Sequence, residues 1–447
     1  HVYDPKARLR RFFQYGGDYI LLNDEAHNLI DRARDMFSAG LYRSDFVSLR
    51  RELGKKHPLY KRMGAIAKEI LKILKPGGEE NGRPALCLNE PPQSLLPLLL
   101  DFAAECDTAL KALSGEISPH TEALMNLYFG VLDYLRVSEF FGENYTFFRE
   151  PSHGFIRLYC LDPSALLAEE QKKSRACVFF SATLTPLPYF RAVLGGAPED
   201  YTLRLASPFP RENLCLLIDR RISTRYKDRA GGYEKIAERL HEMMDGRTGN
   251  YMAFFPSYAY LSEVLSIFRE RFPHVRTLAQ TQEMNDENRE GFLAEFLDGP
   301  KETLLAFAVM GGIFSEGIDL KGERLTGAAV VGVGLPMITE ARNVLMDYYN
   351  RLSDTGFAFA YQYPGMNKVL QAAGRVIRTE TDKGVVLLID SRFAESTYRA
   401  LFPPEWEGFS YIKDGNDLKN KLRDFWASHD GTGGLQGRRS GSPVTHD

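Results

Sequence analysis

The stretch that decides the fold is YILLNDEAHNLIDRA, residues 19–33. Its first four residues form a short apolar run that predicts a buried parallel strand, and the positions from Leu29 onward have helical spacing. Between the two stand Asp24, Glu25 and His27. Polar groups just past a parallel strand favour a ligand site, because open α/β sheets bind ligands at the carboxyl ends of their strands. Acidic residues also suit the first turn of a helix, so this stretch alone leaves both interpretations open.

The composition is that of a globular protein. Of the 447 residues, 44% are apolar and 26% are charged, and the formal net charge is −3, so any contact with nucleic acid would depend on local basic patches. The cysteines include no CxxC pair, which indicates reduced thiols rather than a disulfide framework or a metal-ligand set; they are Cys87, Cys106, Cys160, Cys177 and Cys215. No apolar run approaches the roughly 18 residues of a membrane span, which predicts a cytoplasmic protein without membrane contact.

The pattern of elements predicts one interrupted domain followed by a second. Residues 1–31 carry the strand before the acid pair, and residues 32–152 are mostly helical in period, as expected of an insertion. Short strands and helices return over 153–207, and residues 208–427 alternate strands and helices afresh, as in a second parallel sheet. The last part, 428–447, is rich in Gly, Ser and Arg and is expected to be disordered.

The predicted insertion is polarised in charge. Residues 42–75 hold ten Lys or Arg against three acids, whereas residues 79–143 hold three basic and eleven acidic residues. Solvated helix faces and a nucleic-acid surface both fit the basic part.

Four further stretches carry polar residues where chemistry can take place. Ser181 and Thr183 follow a second apolar run in VFFSAT, and FFPSY places Ser257 at a predicted helix N-cap beside Tyr258. The other two stretches are GGIFSEGIDL, residues 311–320, and QAAGRVIR, residues 371–378. The first contains Gly317 and Asp319, and the second has Arg375 and Arg378 at i, i+3, which on a helix would share one face.

Together these residue types match what hydrolysis of a nucleoside triphosphate requires. The reaction needs a carboxylate that holds the metal, a group that orients or deprotonates water, and cations for the charge that develops on the γ-phosphoryl group. The acid pair supplies the first two, and two arginines supply planar donors that stay charged. The acids and arginines are about 350 residues apart and belong to different predicted sheets. We therefore expect a cleft between two domains that closes on the nucleotide.

In order along the chain, the five stretches resemble motifs II, III, IV, V and VI of superfamily 2 DNA helicases. The forms SEGID and QAAGRVIR, the long insertion and STRYKDR, residues 223–229, are similar to the Rad3/XPD/DinG branch. The resemblance covers nearly the whole chain. It implies an α/β fold with two RecA-like parallel-sheet domains, the first of them incomplete, and a mainly helical arch insertion over the path of the single strand.

The resemblance also implies roles for single residues. Asp24 would hold Mg²⁺ through water, and Glu25 would polarise the attacking water. His27 and Gln371 would couple the nucleotide to the domain interface, and Arg375 and Arg378 would reach the phosphates. The same resemblance places Gly317 and Asp319, with Ser181 and Thr183, at the nucleotide, and it makes Arg225, Tyr226, Ser257 and Tyr258 contacts of the nucleic-acid strand.

One departure from the family pattern concerns the phosphate loop. A GxGK[ST] loop supplies the lysine and the backbone cradle for the β- and γ-phosphates. The 447-residue chain contains no such sequence. In the family this loop and four cysteines for a 4Fe–4S cluster precede the DEAH strand, so we expect both upstream of His1, in a parent of which this chain is an N-terminally truncated fragment. The chain alone would then hydrolyse ATP weakly or not at all.

The resemblance implies ATP and Mg²⁺ as cofactors and single-stranded DNA and duplex junctions as partners. It implies movement in the 5′→3′ direction, a part in DNA repair and a monomeric state. Two alternatives stay open: a non-catalytic DNA-binding or scaffold protein that has lost the phosphate loop, and a metal-dependent nuclease that uses Asp24 and Glu25. The sequence favours the nuclease less, because no second cluster of carboxylates is evident in it.

Overall fold

The fold has two compact units. A computed structural model describes residues 2–7, 12–13, 15–52, 58–74, 86–88, 90–112, 119–150, 154–315 and 318–430. Unit 1 consists of His1–Thr202 together with Thr339–Asp354, and unit 2 consists of Leu203–Ile338 together with Thr355–Asp447. The first unit boundary lies close to the predicted change of domain at 207–208.

Unit 1 contains two separate sheets and most of the helices of the predicted insertion. Its elements in chain order are β1 (Ile20–Asn23), α1 (Leu29–Met36), β2 (Ala39–Tyr42), α2 (Arg43–Glu52), α3 (Pro58–Ile73), β3 (Leu86–Leu88), α4 (Leu95–Ala112), α5 (Pro119–Ser138), β4 (Tyr145–Glu150), β5 (Phe155–Cys160), α6 (Ser164–Gln171), β6 (Ala176–Phe179) and α7 (Leu187–Val193).

The strand before the acid pair is parallel, as predicted, but it is not buried. β1 pairs with β6, with Ile20 opposite Ala176 and Asn23 opposite Phe179. Ile20 is 57% exposed and Leu22 is 70% exposed. Successive side chains of a strand point to opposite faces, and no element in the described part of the chain covers the face that carries these two. The prediction of a buried strand was therefore wrong in this respect.

The insertion is less helical than its sequence indicates. β2, β5, β4 and β3 form a four-stranded antiparallel sheet in that order, and α2 to α5 accompany it. The sequence predicted that strands after residue 153 belong to the resumed first domain. β5 instead belongs to the sheet of the insertion, because it pairs antiparallel with β2 and β4. The aromatic run YTFFRE of β4 and the run FIRLYC of β5 form a hairpin whose non-local pairing helical periodicity cannot reveal.

The basic part of the insertion lies on α2 and α3. Arg50, Arg51, Lys61 and Lys68 are exposed, while Arg62 pairs with Glu105 at 3.0 Å. Both interpretations of this surface, solvated helix faces and a nucleic-acid surface, therefore still fit.

Unit 2 is built on a seven-stranded sheet in which every pairing is parallel, as the sequence predicts. Its elements, together with the helix α11 that lies between them in the sequence, are β7 (Leu214–Asp219), α8 (Tyr233–Met243), β8 (Asn250–Phe255), α9 (Tyr258–Arg271), β9 (Arg276–Ala279), α10 (Asp286–Ala294), β10 (Leu304–Val309), β11 (Gly327–Val331), α11 (Glu340–Ser353), a π-helical turn (Ala358–Gln362), α12 (Tyr363–Ala373), β12 (Gly384–Ile389), α13 (Ser396–Arg399), β13 (Ser410–Tyr411) and α14 (Gly415–Asp430).

The strand order of this sheet is β13-β7-β12-β11-β8-β10-β9. Alternate side chains of the same strands enter two separate hydrophobic clusters, for example Met252 and Phe254 in one and Tyr251 and Phe255 in the other. Both faces of the central strands are therefore buried, which explains why these segments are almost continuously apolar in the sequence.

Helix α11 belongs to unit 1, although the sequence places it between β11 and α12 of unit 2. Arg342 of α11 lies 4.0 Å from Asp31 of α1, and Asp31 also pairs with the buried Arg34 at 2.9 Å. Arg34 is only 3% exposed and donates a further bond to the carbonyl of Leu161. The sequence prediction assigned this helix to the second domain, because periodicity identifies a helix but not the unit on which it packs.

The predicted disordered tail, residues 428–447, overlaps the end of α14. Ser428 donates a hydrogen bond to the carbonyl of Phe425 in the last turn of this helix, and Trp426 is buried. Residues 431–447 lie outside the described residues. Among the described helices, none has the length and apolar character that crossing a membrane requires.

Two glycines allow α12 to lie directly on the loop after β11. Gly334 has φ +66°, and a Cβ built there would lie 2.4 Å from the carbonyl oxygen of Gly365. A Cβ on Gly365 would lie 2.6 Å from the carbonyl oxygen of Val333. Backbone atoms cannot yield as side chains do, so this contact fixes the position of the helix that leads to residues 371–378.

We expect Gly365→Ala to lower the free energy of unfolding by about 1–3 kcal/mol or more, because α12 must move away from the loop. Urea-induced unfolding would measure the change. Gly291→Ala is the matched control, since it lies in α10 with open space around the site of a Cβ. In a helix interior this control should be neutral or stabilising by up to about 1 kcal/mol. Equal effects of the two variants would contradict the tight contact.

Candidate functional site

The acid pair lies at the carboxyl end of β1, as predicted. Asp24 and Glu25 are both exposed, and Oδ1 of Asp24 accepts a hydrogen bond from the amide of Glu25 at 2.7 Å, which orients the carboxylate. Glu25 itself has φ 48° and ψ 43°, the left-handed conformation. This conformation is uncommon for a residue with a Cβ, and such strain is often found at functional sites.

Side chains from two distant stretches meet beside Glu25. Nδ1 of His27 lies 2.7 Å from Oγ of Ser181 and 3.3 Å from Oε2 of Glu25. Ser181 donates to Oε2 of Glu25 at 3.3 Å, and the amide of Thr183 donates to Oγ of Ser181 at 3.2 Å. Because a serine hydroxyl has one proton, donation to Glu25 requires that His27 carry its proton on Nδ1. The structure thus brings together Glu25, His27, Ser181 and Thr183.

The parallel pairing of β1 with β6 creates this group. The amide of Phe180 donates to the carbonyl of Asn23, and the amide of Ala26 donates to the carbonyl of Phe180. Both strands therefore end at the same level, and their next residues are neighbours. His27 is 8% exposed and Thr183 is 6% exposed, so the exposed Glu25 is the most accessible member of the group.

In unit 2, the arginines after α12 reach the loop after β10. Nη1 of Arg375 donates to the carbonyl of Ile318 at 3.0 Å, and Nε of Arg378 donates to Oδ1 of Asp319 at 3.3 Å. Lys321 pairs with the other oxygen of Asp319 at 2.9 Å. Hydrogen bonding from Lys321, together with that from Arg378, lowers the pKa of Asp319. The two cations therefore favour the charged form of this carboxylate.

The arginines do not share a helix face, and that prediction was wrong. α12 ends at Ala373 with Gly374 as its C-cap, so Arg375 and Arg378 follow the helix in a turn. They nevertheless contact adjacent residues of one loop. Gln371, in the last turn of the helix, is 7% exposed. Gly317, predicted to lie at the nucleotide, falls outside the described residues.

Hydrogen bonds of a buried serine within the loop after β10 hold the conformation of this loop. Ser315 is fully buried; its hydroxyl accepts from the amide of Gly311 at 3.0 Å and donates to the carbonyl of Val309 at 3.1 Å. This serine therefore has a structural task that the sequence did not reveal.

The residues predicted to contact a nucleic-acid strand follow β7 and β8. Ser257 caps α9 as predicted, accepting a hydrogen bond from the amide of Tyr260. The hydroxyl of Tyr258 accepts from Nε2 of Gln280 at 2.9 Å. Arg225 pairs with Glu395 at 2.9 Å, and Tyr226 is 88% exposed. Since all strands of the sheet are parallel, both groups follow its carboxyl edge.

A buried network that the sequence interpretation missed anchors the segment with Tyr226. Asp390, fully buried after β12, accepts from the hydroxyl and the amide of Thr224. It also pairs with Arg392 at 2.9 Å. The signal was available in the sequence, because the apolar run GVVLLID ends in an acid just as the run before Asp24 does.

The described part of the chain contains no group of three or more His, Cys, Asp or Glu side chains arranged to hold a metal ion. Asp24 still fits a hydrated Mg²⁺, since this ion prefers oxygen ligands and keeps several waters when one or two carboxylates and substrate phosphates bind it.

Burial raises the pKa of the Cys106 and Cys160 thiols to about 12, so both are protonated at neutral pH.

Comparison with known proteins finds similarity to helicases. The family model described as Helicase C-terminal domain matches residues 240–409. The chain is 24% identical to the ATP-dependent DNA helicase CHL1 of Coccidioides immitis over 465 residues, covering 87% of the chain and 53% of that relative. It is 28% identical to the general transcription and DNA repair factor IIH helicase subunit XPD of Schizosaccharomyces pombe, covering 58% of the chain and 35% of that relative.

Solved structures share the fold. The structure of S. tokodaii Xpd4 aligns with a TM-score of 0.59 and 14% identity, over 88% of this chain and 76% of that chain. A solved XPD helicase aligns with a TM-score of 0.55 and 16% identity, over 88% of this chain and 68% of that chain.

The parallel pair β1–β6 and the seven-stranded parallel sheet of unit 2 agree with the fold of these solved structures. In sequence, the chain is similar to helicases of the Rad3/XPD type. It spans about half the length of the CHL1 relative and about a third of the XPD relative.

Proposed function

We propose that this chain works within an ATP-dependent DNA helicase that couples ATP hydrolysis to movement along single-stranded DNA and to duplex unwinding. The observation that carries the proposal is the group formed by Glu25, His27, Ser181 and Thr183. An exposed acid in a strained conformation, bonded to the residues after a neighbouring parallel strand, suits a residue that must act on water rather than stabilise a core.

Within unit 1, Asp24 would bind Mg²⁺ through water, and the metal would neutralise charge on the phosphates. Glu25 would accept a proton from the attacking water or orient it. Nδ1 of His27 and Oγ of Ser181 both lie 3.3 Å from Oε2 of Glu25, so they would keep this base in one position.

Within unit 2, Arg375 and Arg378 would supply cations to the phosphates, with Asp319 holding Arg378 until the nucleotide arrives. Gln371 and His27 would transmit nucleotide binding to the rest of the protein. Gly317 belongs to the same proposed nucleotide set.

Nucleic acid would bind along the carboxyl edge of the unit 2 sheet. Residues 220–229, RRISTRYKDR, contain five basic residues and one acid, and Tyr226 is exposed among them. Positive charge attracts the phosphate backbone, and an exposed aromatic ring can stack on a base. Arg225, Ser257 and Tyr258 would contribute contacts. Movement with 5′→3′ polarity, binding at duplex junctions, a role in DNA repair, a monomeric state and a cytoplasmic location are finer parts of the same proposal.

The test compares two polypeptides: the 447-residue chain, and the product of its gene with any sequence encoded upstream of His1. The printed chain has no GxGK[ST] sequence, so we expect the chain alone to hydrolyse ATP very weakly. If the upstream frame encodes such a loop and a 4Fe–4S cysteine set, the longer product should show DNA-stimulated turnover of about 1 s⁻¹ or more. Absence of such turnover in a folded longer product with an intact phosphate loop would contradict the proposal.

A non-catalytic DNA-binding or scaffold protein is the second candidate, and the missing phosphate-loop sequence is the observation that favours it. An in-frame stop codon directly upstream, with single-stranded DNA binding by the chain itself, would support this candidate instead.

A further inference from the structure

Asp382 is a buried carboxylate that lies outside the residue sets proposed to bind nucleotide and nucleic acid. It lies in the turn between α12 and β12 and is 4% exposed. Its Oδ2 accepts from the amides of Arg378 at 2.8 Å and Thr379 at 2.9 Å. Its Oδ1 accepts from the amide of Gly322 at 3.2 Å and from the hydroxyl of Thr379 at 2.6 Å. Four donors therefore converge on one carboxylate.

These donors come from two segments that are far apart in the sequence. Arg378 and Thr379 follow α12, whereas Gly322 follows the loop after β10, three residues beyond Asp319. Gly322 has φ +66°, a conformation in which glycine has no Cβ penalty, and its amide is thereby presented to Asp382. The carboxylate fixes the backbone of both segments at once.

The side chains of the same two segments meet one another. Nε of Arg378 lies 3.3 Å from Oδ1 of Asp319. Hydrogen bonds from backbone amides to a charged carboxylate are shorter and stronger than neutral ones, so the backbone positions from which Arg378 and Asp319 extend are well defined. A long arginine side chain can reach a phosphate in a reproducible direction only if its own backbone is held.

We propose that Asp382 is a positioning residue that directs the Arg378 guanidinium by tying its backbone to the segment after Asp319. This inference rests on the proposed role of Arg378 in ATP hydrolysis. Asp382 itself touches no reacting atom; it acts through Arg378.

The first experiment measures hydrogen exchange and needs no catalysis. Asp382→Asn replaces one accepting oxygen by an amide nitrogen, so the amide donors of one segment lose their acceptor and the link between the segments is broken. We expect faster exchange in both peptides, 318–323 and 376–381. Glu380→Gln is the control, since it removes an exposed acid from the same turn and should change neither. Faster exchange confined to 376–381 would overturn the proposal.

The second experiment is a double-mutant cycle on ATP turnover in the longer gene product. Asp382→Asn should lower kcat at least about tenfold with KM changed less than about threefold, since the loss concerns the reacting state. In an Arg378→Ala background it should lower kcat less than about twofold further, because its effect passes through that arginine. An equal loss in both backgrounds would assign Asp382 a merely structural task and overturn the proposal.

A milder variant tests the proposal if the Asp382→Asn protein does not fold. Thr379→Val removes the hydroxyl bond to Oδ1 and keeps the amide, so it should change exchange and kcat in the same directions by smaller factors. If the wild-type protein shows no ATP turnover at all, the proposed function fails, while the exchange measurements still decide whether Asp382 links the two segments.

Discussion

Glu25→Gln, made in the polypeptide that hydrolyses ATP, should lower kcat by about 10² to 10⁴-fold while leaving the affinity for ATP within about threefold. Glutamine keeps the size of glutamate and an oxygen that can accept from Ser181, so the group around His27 should stay in place. It cannot take a proton from water, which removes the chemical step and spares binding. Steady-state turnover with saturating single-stranded DNA, together with equilibrium binding of a nucleotide, separates the two quantities.

Asp18→Asn is the matched control for this substitution. Asp18 lies at the other end of the same strand segment and pairs with Arg175 at 3.4 Å, with both side chains more than two-thirds exposed. An exposed pair of this kind contributes about 0–1 kcal/mol to stability, so turnover should stay near that of the wild type. Near-normal turnover in Glu25→Gln would show that this carboxylate does not activate water, and the nucleotide site would have to be sought elsewhere.

Arg378→Ala should lower kcat by about 10³-fold or more, the effect typical of an arginine that stabilises charge on a transferring phosphoryl group. In the structure the Arg378 side chain is 34% exposed, and its Nε is bonded to Asp319. An arginine that meets the γ-phosphoryl group most strongly in the reacting state changes kcat more than affinity. Measurement of kcat and KM at saturating DNA tests this split.

Lys321→Ala is a sharp control for Arg378→Ala. Lys321 is the other cation on Asp319, so its removal also deprives that carboxylate of a partner but takes no cation from the proposed phosphate site. We expect less than about a threefold change in kcat for an exposed ion pair. A drop of less than about tenfold for Arg378→Ala, roughly 1.4 kcal/mol, would place this arginine outside the active site.

The site could be predicted from the sequence where a short motif also dictates local geometry. An apolar run followed by Asp24 and Glu25 is parallel strand β1 with the acids at its carboxyl end, and FFPSY gives Ser257 as the N-cap of α9. The arginine pair shows where this reasoning fails. Their i, i+3 spacing predicted one shared helix face, but Gly374 caps α12, and Asp382 accepts from the amides of Arg378 and Thr379, so the chain turns.

By itself, the sequence determined the parallel sheet of unit 2, its almost fully apolar strands and the acid and arginine motifs, because strand periodicity, helix caps and charged residues act over a few neighbouring positions. Only the tertiary structure decided which distant residues meet. It placed Ser181 against His27, Asp382 between Gly322 and Arg378, and α11 in unit 1 rather than unit 2. It also paired β5 with β2 and β4. The physical reason is that such contacts depend on loop closure and strand pairing across many residues, and these leave no local pattern in the chain.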